Sequence, residues 1–216
     1  MHDICDLREA TAELGGKAAG LAKLIAAGLP VPAGFAISAR VFVRFAAGES
    51  IEFSGELDLT DHLRELGPVL AVRSSAAVED GAAGSAAGIF RSVVGVPVAD
   101  VESAIRDVWS SALTPHAVAY ASKRTHEVAV GVIVQRFIEG ERLTVYTRPL
   151  SGDGDDLLIQ RGDRLTRVKR AQLPEDLANH HAVVQALRAE RAIGGPADVE
   201  LVQVVQRDEV IETWVV

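Results

Sequence analysis

The chain has 216 residues, 48% of them hydrophobic and 24% charged, which is the balance of an ordinary globular protein. Its net charge of −8 argues against nonspecific nucleic-acid binding, which needs a basic surface. Since no run of about 18 apolar residues occurs and the single cysteine, Cys5, cannot form an internal disulfide, we expect no membrane span and a reducing, cytoplasmic location.

The first half of the chain predicts helices that alternate with short strands. Apolar residues recur at helical spacing over residues 15–27, and Gly28 suits the end of that helix. A short strand is expected at 35–38, with Ser38 as the cap of a helix that runs to Phe45. Further elements are predicted as a helix at 58–66, strands at 69–73 and 90–96, and helices that begin at Asp100 and Pro115.

From residue 128 onward, β-branched residues predict a mainly stranded region. The segment 142–148 is expected to pair with a buried strand at 128–135. The remaining predicted elements are a hairpin of 157–160 and 165–169, a helix at 174–191 closed by Gly194, and a hairpin of 199–205 and 210–215. Helices and strands mix in both regions, which predicts an α+β fold of two lobes, 1–125 and 126–216, with a cleft between them.

Two segments combine cations with small residues. Lys17 follows two glycines at the start of the first predicted helix, where an ammonium group suits nucleotide phosphates or simply remains solvated. The apolar run at 70–72 ends in Arg73 and two serines, and a loop of Gly, Ser and Ala occupies 84–88. Small residues let backbone N–H groups approach an anion closely, and arginine supplies a fixed fork of donors. A strand that ends in a solvated turn has the same local pattern.

Acidic residues near the end of the chain form a candidate metal site. Asp198 and Glu200 lie two residues apart on a predicted strand, so both carboxylates face the same side. Such a pair suits Mg²⁺, although two exposed acids on an edge strand are also common. A three-residue loop at 207–209 places Glu212 opposite Val204 on the face of Glu200, whereas a two-residue loop turns it to the other face.

The motifs taken together, in their order along the chain, resemble the N-terminal nucleotide-binding domain of the family of pyruvate phosphate dikinase, phosphoenolpyruvate synthase and rifampicin phosphotransferase. The matching stretches are Leu14-Gly-Gly-Lys, Gly28-Leu-Pro-Val-Pro-Ala-Gly-Phe35, Val72-Arg-Ser-Ser-Ala76, the loop at 84–88, Trp109-Ser-Ser-Ala-Leu-Thr114, the strand at 128–138 and Asp198-Val-Glu200. The resemblance implies an ATP-grasp-like fold that binds ATP and Mg²⁺.

The resemblance also assigns roles to individual residues. Lys17 and Arg73 would bind the phosphates of ATP and serve as the catalytic cations. A lid over the phosphates would comprise Gly84, Ser85, Gly88 and Ser92. The adenine would lie beside Gln135, Arg136, Phe137 and Ile138. The metal ligands would be Asp198, Glu200 and Glu212.

The implied activity is a Mg-ATP-dependent phosphotransfer to a histidine of a separate phosphohistidine-domain protein or to a small molecule. The chain departs from the family where Glu212 and Trp214 stand in place of a Gln and an Arg, and it lacks a W-G-L-G-E-type segment between Arg148 and Asp198. We expect no swivelling phosphohistidine domain in this polypeptide, and we expect its histidines at the surface, namely His116, His126, His180 and His181. A catalytically impaired nucleotide-binding scaffold and an ATP-grasp ligase that forms an acyl phosphate are the alternatives.

Overall fold

The computed structural model describes residues 3–55, 57–76, 90–122, 129–147, 156–172, 174–206 and 209–216. The chain forms two compact units. The first comprises Met1–Ala22 and Ala33–Phe137, and the second comprises Lys23–Pro32 and Ile138–Val216. Each unit contains a five-stranded sheet whose neighbouring strands are antiparallel.

The sheet of the first unit has its most buried strand at the centre. Its strands are β1 (Ile4–Asp6), β2 (Gly34–Ile37), β3 (Val69–Ala76), β4 (Ser92–Pro97) and β5 (Val130–Arg136), in the order β1-β2-β5-β3-β4. Every residue of β5 except Arg136 is buried, as expected for a run of β-branched residues between two neighbours. The predicted strand at 128–135 is therefore confirmed, with slightly shifted ends.

The helix α1 (Gly16–Ala26) begins on one face of this sheet, where its Ala18 N–H donates to the Ser75 hydroxyl. The core lies on the opposite face, and residues of the next helices contribute to it, namely α2 (Ala39–Ala46), α3 (Thr60–Arg64), α4 (Val101–Ala112) and α5 (Pro115–Ser122). Short 3-10 turns occur at Leu7–Glu9, Ala12–Leu14 and Val98–Asp100. The Ser38 hydroxyl accepts the Arg40 N–H at 3.2 Å, which confirms the predicted cap of α2. Trp109 of α4 is fully buried and packs against the rings of Phe45 and Phe53.

The second unit pairs a sheet with one long helix. Its strands are β6 (Glu141–Tyr146), β7 (Asp156–Arg161), β8 (Arg164–Lys169), β9 (Asp198–Gln206) and β10 (Glu209–Val215), in the order β10-β9-β6-β7-β8. The helix α6 (Leu177–Ile193) begins at Asp176, whose carboxylate accepts the Asn179 N–H at 2.8 Å. It ends at Gly194 in the left-handed conformation that glycine adopts without strain.

The packing of α6 distinguishes the two faces of this sheet. Gln203 of β9 donates from its amide to the Ala178 carbonyl of α6 at 2.7 Å, and its Oε1 accepts Arg161 at 2.7 Å. The side of the sheet that carries Gln203 is therefore the one covered by α6. Because side chains alternate along a strand, Asp198 and Glu200 project from the opposite face, and both are exposed.

One predicted pairing is wrong. The segment 142–148 was expected to pair with the strand at 128–135, but β6 pairs with β7 and β9 in the other sheet. Both edges of β5 are already occupied by β2 and β3, so no third strand can join it. For the same reason β5 belongs to the first unit, and the division at Phe137 differs from the lobe boundary expected near residue 125.

Candidate functional site

Arg73 lies on the face of the first sheet that is opposite the main core. Leu70 and Val72 of β3 are core residues beneath α4, and the alternation of a strand turns Arg73 and Ser75 to the other side. Arg73 is only 9% exposed, and Ser75 is fully buried. The structure thus holds the predicted phosphate-binding arginine in a confined position, where an interaction with an anion is weakly screened by water.

Two further predicted residues share this face with Arg73. Ser92 is the first residue of β4 and pairs directly with Arg73, so the two side chains lie next to each other on one face of the sheet. Across β5, Gln135 pairs with Ala71 and is 2% exposed. Since Ala71 and Arg73 alternate with Val72, the side chain of Gln135 lies on the same face as Arg73.

The other predicted adenine-side residues are not all brought to this face. Arg136 pairs with Leu70, and its guanidinium donates to the Glu65 carbonyl at 3.1 Å, which places that side chain on the opposite side. The Phe137 N–H donates to the carbonyl of Val69. Ile138 belongs to the second unit. If this segment binds adenine, the backbone and Gln135 are the groups available to do so on the Arg73 face.

The start of α1 is fastened to the strand that carries Arg73. The Ser75 hydroxyl accepts the buried N–H of Ala18 at 3.1 Å, 57 residues apart in sequence. Gly15 has φ of +98°, and a Cβ there would collide with the Ser75 carbonyl. Lys17 stands directly before Ala18 in this turn. The two predicted phosphate-binding cations are therefore carried by backbone segments that one hydrogen bond joins.

The remaining lid residues lie outside the part of the chain that the structure describes. These are Gly84, Ser85 and Gly88. The strands β3 and β4, which precede and follow this segment in the sequence, carry the predicted site residues Arg73 and Ser92.

The acidic pair of the second unit has a tyrosine as its cross-strand neighbour. Tyr146 of β6 pairs with Asp198, and Thr144 pairs with Glu200, so these side chains share the face away from α6. The phenol of Tyr146 donates to Oε1 of Gln160 at 2.7 Å. Burial of the phenol, and then the negative charges of Asp198 and Glu200, raise the pKa of Tyr146 above its ordinary value of 10.0. The pair thus forms a local negative field, and two carboxylates on one face suit Mg²⁺, which commonly takes one or two of them together with phosphate oxygens.

Glu212 is on the predicted face but not beside the pair. Val210 pairs with Val205 and Glu212 with Val204, so Ile211 is an extra residue in a bulge. This shift gives Glu212 the partner Val204, which is the register expected for a three-residue loop. The residue opposite Glu200 is Val216, whose N–H donates to the Glu200 carbonyl at 3.0 Å.

This register separates the three expected metal ligands. Val204 lies four residues beyond Glu200 on β9, so Glu212 is about 13 Å along the strand from the acidic pair. Among the residues the structure describes, no group of three or more His, Cys, Asp or Glu side chains is placed to hold a metal ion. The expectation that Glu212 joins Asp198 and Glu200 is therefore corrected: the face is the expected one, but four residues of β9 separate its partner Val204 from Glu200.

Glu212 instead contributes to a separate cavity within the second unit. The Trp214 indole N–H donates to its carboxylate at 2.8 Å. The cavity has a volume of about 410 Å³ and is lined by Pro30, His180, His181, Val184, Gln185, Glu212, Thr213 and Trp214. His180 and His181 were expected at the surface, but both are half-buried here. The side chains of His116 and His126 lie outside the described part.

Sequence reasoning missed the contacts of Ser75 and Tyr146. Ser75 lies two residues beyond Arg73 in the Val72-Arg-Ser-Ser motif, a spacing that indicates a shared face on a strand but not the bond to Ala18. Tyr146 had no such signal, because its pairing with Asp198 joins positions 52 residues apart and depends on the register of β6 and β9.

Comparisons with known proteins agree with this geometry. The sequence profile of the pyruvate phosphate dikinase AMP/ATP-binding domain matches residues 53–160, which is half of the chain. The chain belongs to this family. Its fold is α+β, with two compact units that each contain an antiparallel sheet.

Several curated proteins are similar to the chain. Phosphoenolpyruvate synthase of Aeropyrum pernix is 30% identical over 198 positions, covering 68% of this chain and 24% of that protein. The uncharacterized phosphotransferase YvkC of Bacillus subtilis is 32% identical, covering 67% of this chain and 20% of that protein. The prodigiosin synthesizing transferase PigC of Serratia marcescens is 31% identical, covering 68% of this chain and 19% of that protein. The chain thus spans a quarter or less of the length of these relatives.

Ligases are among the solved structures that are similar to the chain. D-alanine–D-alanine ligase from Bacillus anthracis, complexed with ATP, has a TM-score of 0.48 and 14% identity, and covers 94% of this chain and 52% of that one. L-amino acid ligase from Bacillus licheniformis has a TM-score of 0.48 and 18% identity, and covers 94% of this chain and 43% of that one.

Within the described residues, none of the helices is both long and apolar enough to cross a bilayer.

Proposed function

We propose that this chain binds Mg-ATP and supplies its phosphoryl group to an acceptor, as the nucleotide-binding part of a phosphotransferase. The observation that carries the proposal is the bond from Ala18 to Ser75, which ties the turn of Lys17 to the strand of Arg73. Two cations on joined segments suit a polyphosphate, whose charge is shared among several oxygens. Membership of the AMP/ATP-binding domain family supports the identity of the ligand.

The phosphate end of the site is proposed to use side-chain cations together with small polar and backbone groups. Arg73 supplies a planar fork for two oxygens, and Lys17 adds a compact positive charge at the start of α1. Ser92 lies beside Arg73 in the adjacent strand. We assign the lid over the phosphates to Gly84, Ser85 and Gly88, because small residues permit backbone N–H groups to reach the oxygens closely.

The base is proposed to lie beside the end of β5. Gln135 is buried on the Arg73 face, and Gly34 lies opposite it without a side chain. A buried amide and the backbone of residues 135–138 offer hydrogen-bond groups against apolar neighbours, which is how nucleobase pockets are commonly lined. Discrimination between ATP and GTP is expected to depend on these groups.

Asp198 and Glu200 are proposed to hold Mg²⁺ that accompanies the nucleotide. When bound, the ion offsets phosphate charge and orients the transferred group. The residues of this chain then contribute by position and electrostatics, with Lys17 and Arg73 stabilising the charge that moves onto the leaving oxygens. The acceptor is a histidine on a partner protein or a small molecule.

The decisive experiment separates the products of ATP. The chain is incubated with Mg-ATP, and ADP, AMP and phosphate are followed individually. AMP with phosphate supports dikinase-type transfer, and ADP supports a simple kinase or a ligase. Binding without turnover identifies a nucleotide-binding scaffold, and calorimetry that shows no affinity for ATP in the folded protein contradicts the proposal altogether.

A further inference from the structure

We infer that Ser75 is a positioning residue for ATP, acting through the turn that carries Lys17; this inference rests on the proposed function. Ser75 is fully buried and lies two residues beyond Arg73, so its hydroxyl projects from the same face of β3. Its Oγ accepts the N–H of Ala18, the residue directly after Lys17. The Ser75 side chain therefore holds the backbone that carries Lys17 against the strand that carries Arg73.

The bond satisfies a donor that the helix itself cannot satisfy. The first N–H groups of an α-helix have no partner within the helix, and a local side chain commonly caps them. In α1 the first helical bond runs from Ala19 to the Gly15 carbonyl, so the Ala18 N–H needs an outside acceptor. A strand distant in sequence provides it, which fixes the helix start against the sheet instead of only ending the helix.

Two glycines allow the close approach on which this bond depends. A Cβ at Gly15 would collide with the backbone and hydroxyl of Ser75. Gly131 of β5 pairs with Ser75 of β3. A Cβ at Gly131 would lie 2.8 Å from the Leu14 carbonyl oxygen and 3.2 Å from the Ser75 carbonyl oxygen. The backbones around Gly15, Ser75 and Gly131 are thus in van der Waals contact. The position of the Ser75 hydroxyl relative to the Ala18 N–H is therefore closely restricted.

The consequence is a fixed relation between the backbone positions that carry Lys17 and Arg73. Lys17 is partly exposed on a long, flexible stem, whereas Arg73 is held in the sheet. Binding of a polyphosphate benefits when both charges are already at the correct spacing, because less conformational entropy is lost. Removal of the Ser75 hydroxyl frees the turn and should weaken ATP binding without removing any group that touches ATP.

A double-mutant cycle tests this inference. ATP affinity is measured by calorimetry for the wild type, Ser75→Ala, Lys17→Ala and the double variant, and urea unfolding is measured in parallel. We expect Ser75→Ala to raise the Kd about tenfold, which corresponds to one hydrogen bond lost. In the Lys17→Ala background the same change should have almost no further effect on affinity, although it still lowers stability.

Controls keep the test decisive. Ser74→Ala removes the neighbouring buried hydroxyl, which faces the other side of β3, and should leave the Kd unchanged. If Ser75→Ala does not fold, Ser75→Cys retains a weak acceptor and should give an intermediate Kd. Equal losses from Ser75→Ala with and without Lys17 overturn the positioning role but leave the proposed function intact. No ATP binding by the wild type, or no effect of Lys17→Ala, overturns the proposed site and the inference with it.

Discussion

The indole N–H of Trp214 donates a 2.8 Å hydrogen bond to the carboxylate of Glu212, two residues earlier on the same strand. Both side chains lie on one face of β10, and both residues are among those that line the cavity of the second unit. These are the positions where counting from Asp198-Val-Glu200 places the family's glutamine and arginine. In the hairpin Glu212 is opposite Val204 and not opposite Glu200, which pairs with the end of the chain at Val216.

Glu212→Gln is expected to leave Mg²⁺-dependent ATP binding unchanged. The carboxylate is about 13 Å along the strand from the acidic pair, too far for it to share a metal ion with them. Calorimetric titration of ATP with and without Mg²⁺ provides the measurement. A loss of Mg²⁺ dependence in this variant would show that the register described here does not hold in the nucleotide-bound protein.

Asp198→Asn combined with Glu200→Gln should abolish the dependence of ATP binding on Mg²⁺. The two amides keep the size of the side chains but remove the charges that attract the ion. The same double variant should also lose the rise in melting temperature that Mg-ATP gives over ATP alone, because a ligand bound only by the native state stabilises it. Full Mg²⁺-dependent binding in this variant would mean that the acids are ordinary surface residues.

The same acidic pair should be detectable through Tyr146. Neutralising Asp198 and Glu200 removes the charge contribution and should lower the pKa of Tyr146 toward 10.0, while burial of the phenol, the larger cause, keeps it raised. Because the folded-state pKa is raised, the phenol's contribution to stability is present below the unfolded pKa and is lost as pH rises through the folded pKa. Titration of tyrosinate absorbance in a Tyr120→Phe background isolates this group, since the chain has two tyrosines. An unchanged Tyr146 pKa would contradict the pairing of Tyr146 with Asp198.

Lys17→Ala and Arg73→Ala should each weaken ATP binding by about 1–3 kcal/mol, the range for hydrogen bonds that involve charged groups. Lys23→Ala is the matched control for the lysine, since Lys23 is exposed on the same helix. Arg64→Ala is the control for the arginine, because Arg64 forms an exposed surface ion pair with Asp61. Equal effects of site and control variants would point to a loss of general charge and count against a phosphate site.

Gln203→Ala should lower the free energy of unfolding by about 1–3 kcal/mol, because it leaves buried polar partners unsatisfied. Gln203 is fully buried and bonds Arg161, the Ala178 carbonyl and the Thr213 hydroxyl. Urea unfolding followed by circular dichroism measures the effect. Gln206→Ala, at the exposed end of β9, is the control and should change stability by less than about 0.5 kcal/mol. A Gln203 variant as stable as the control would contradict the importance of this network.

Local signals in the sequence were sufficient for most of the secondary structure and for the family. Proline, glycine and capping serine positions determine where α1, α2 and α6 begin or end, since they act within a few residues along the chain. The β-branched residues of 199–205 and 210–215 predicted the final hairpin. The order of short motifs indicated the nucleotide-binding family, which the match over residues 53–160 confirms.

Only the tertiary structure decided which residues share a site. The partner of β6 depends on which strand edges are already occupied, and that choice involves residues far apart in sequence. One extra residue in the bulge at Ile211 sets the position of Glu212, because a register shift of one residue reverses every later side chain. The bond between Ser75 and Ala18 depends on the contact of three backbone segments, and no local pattern at either residue encodes it.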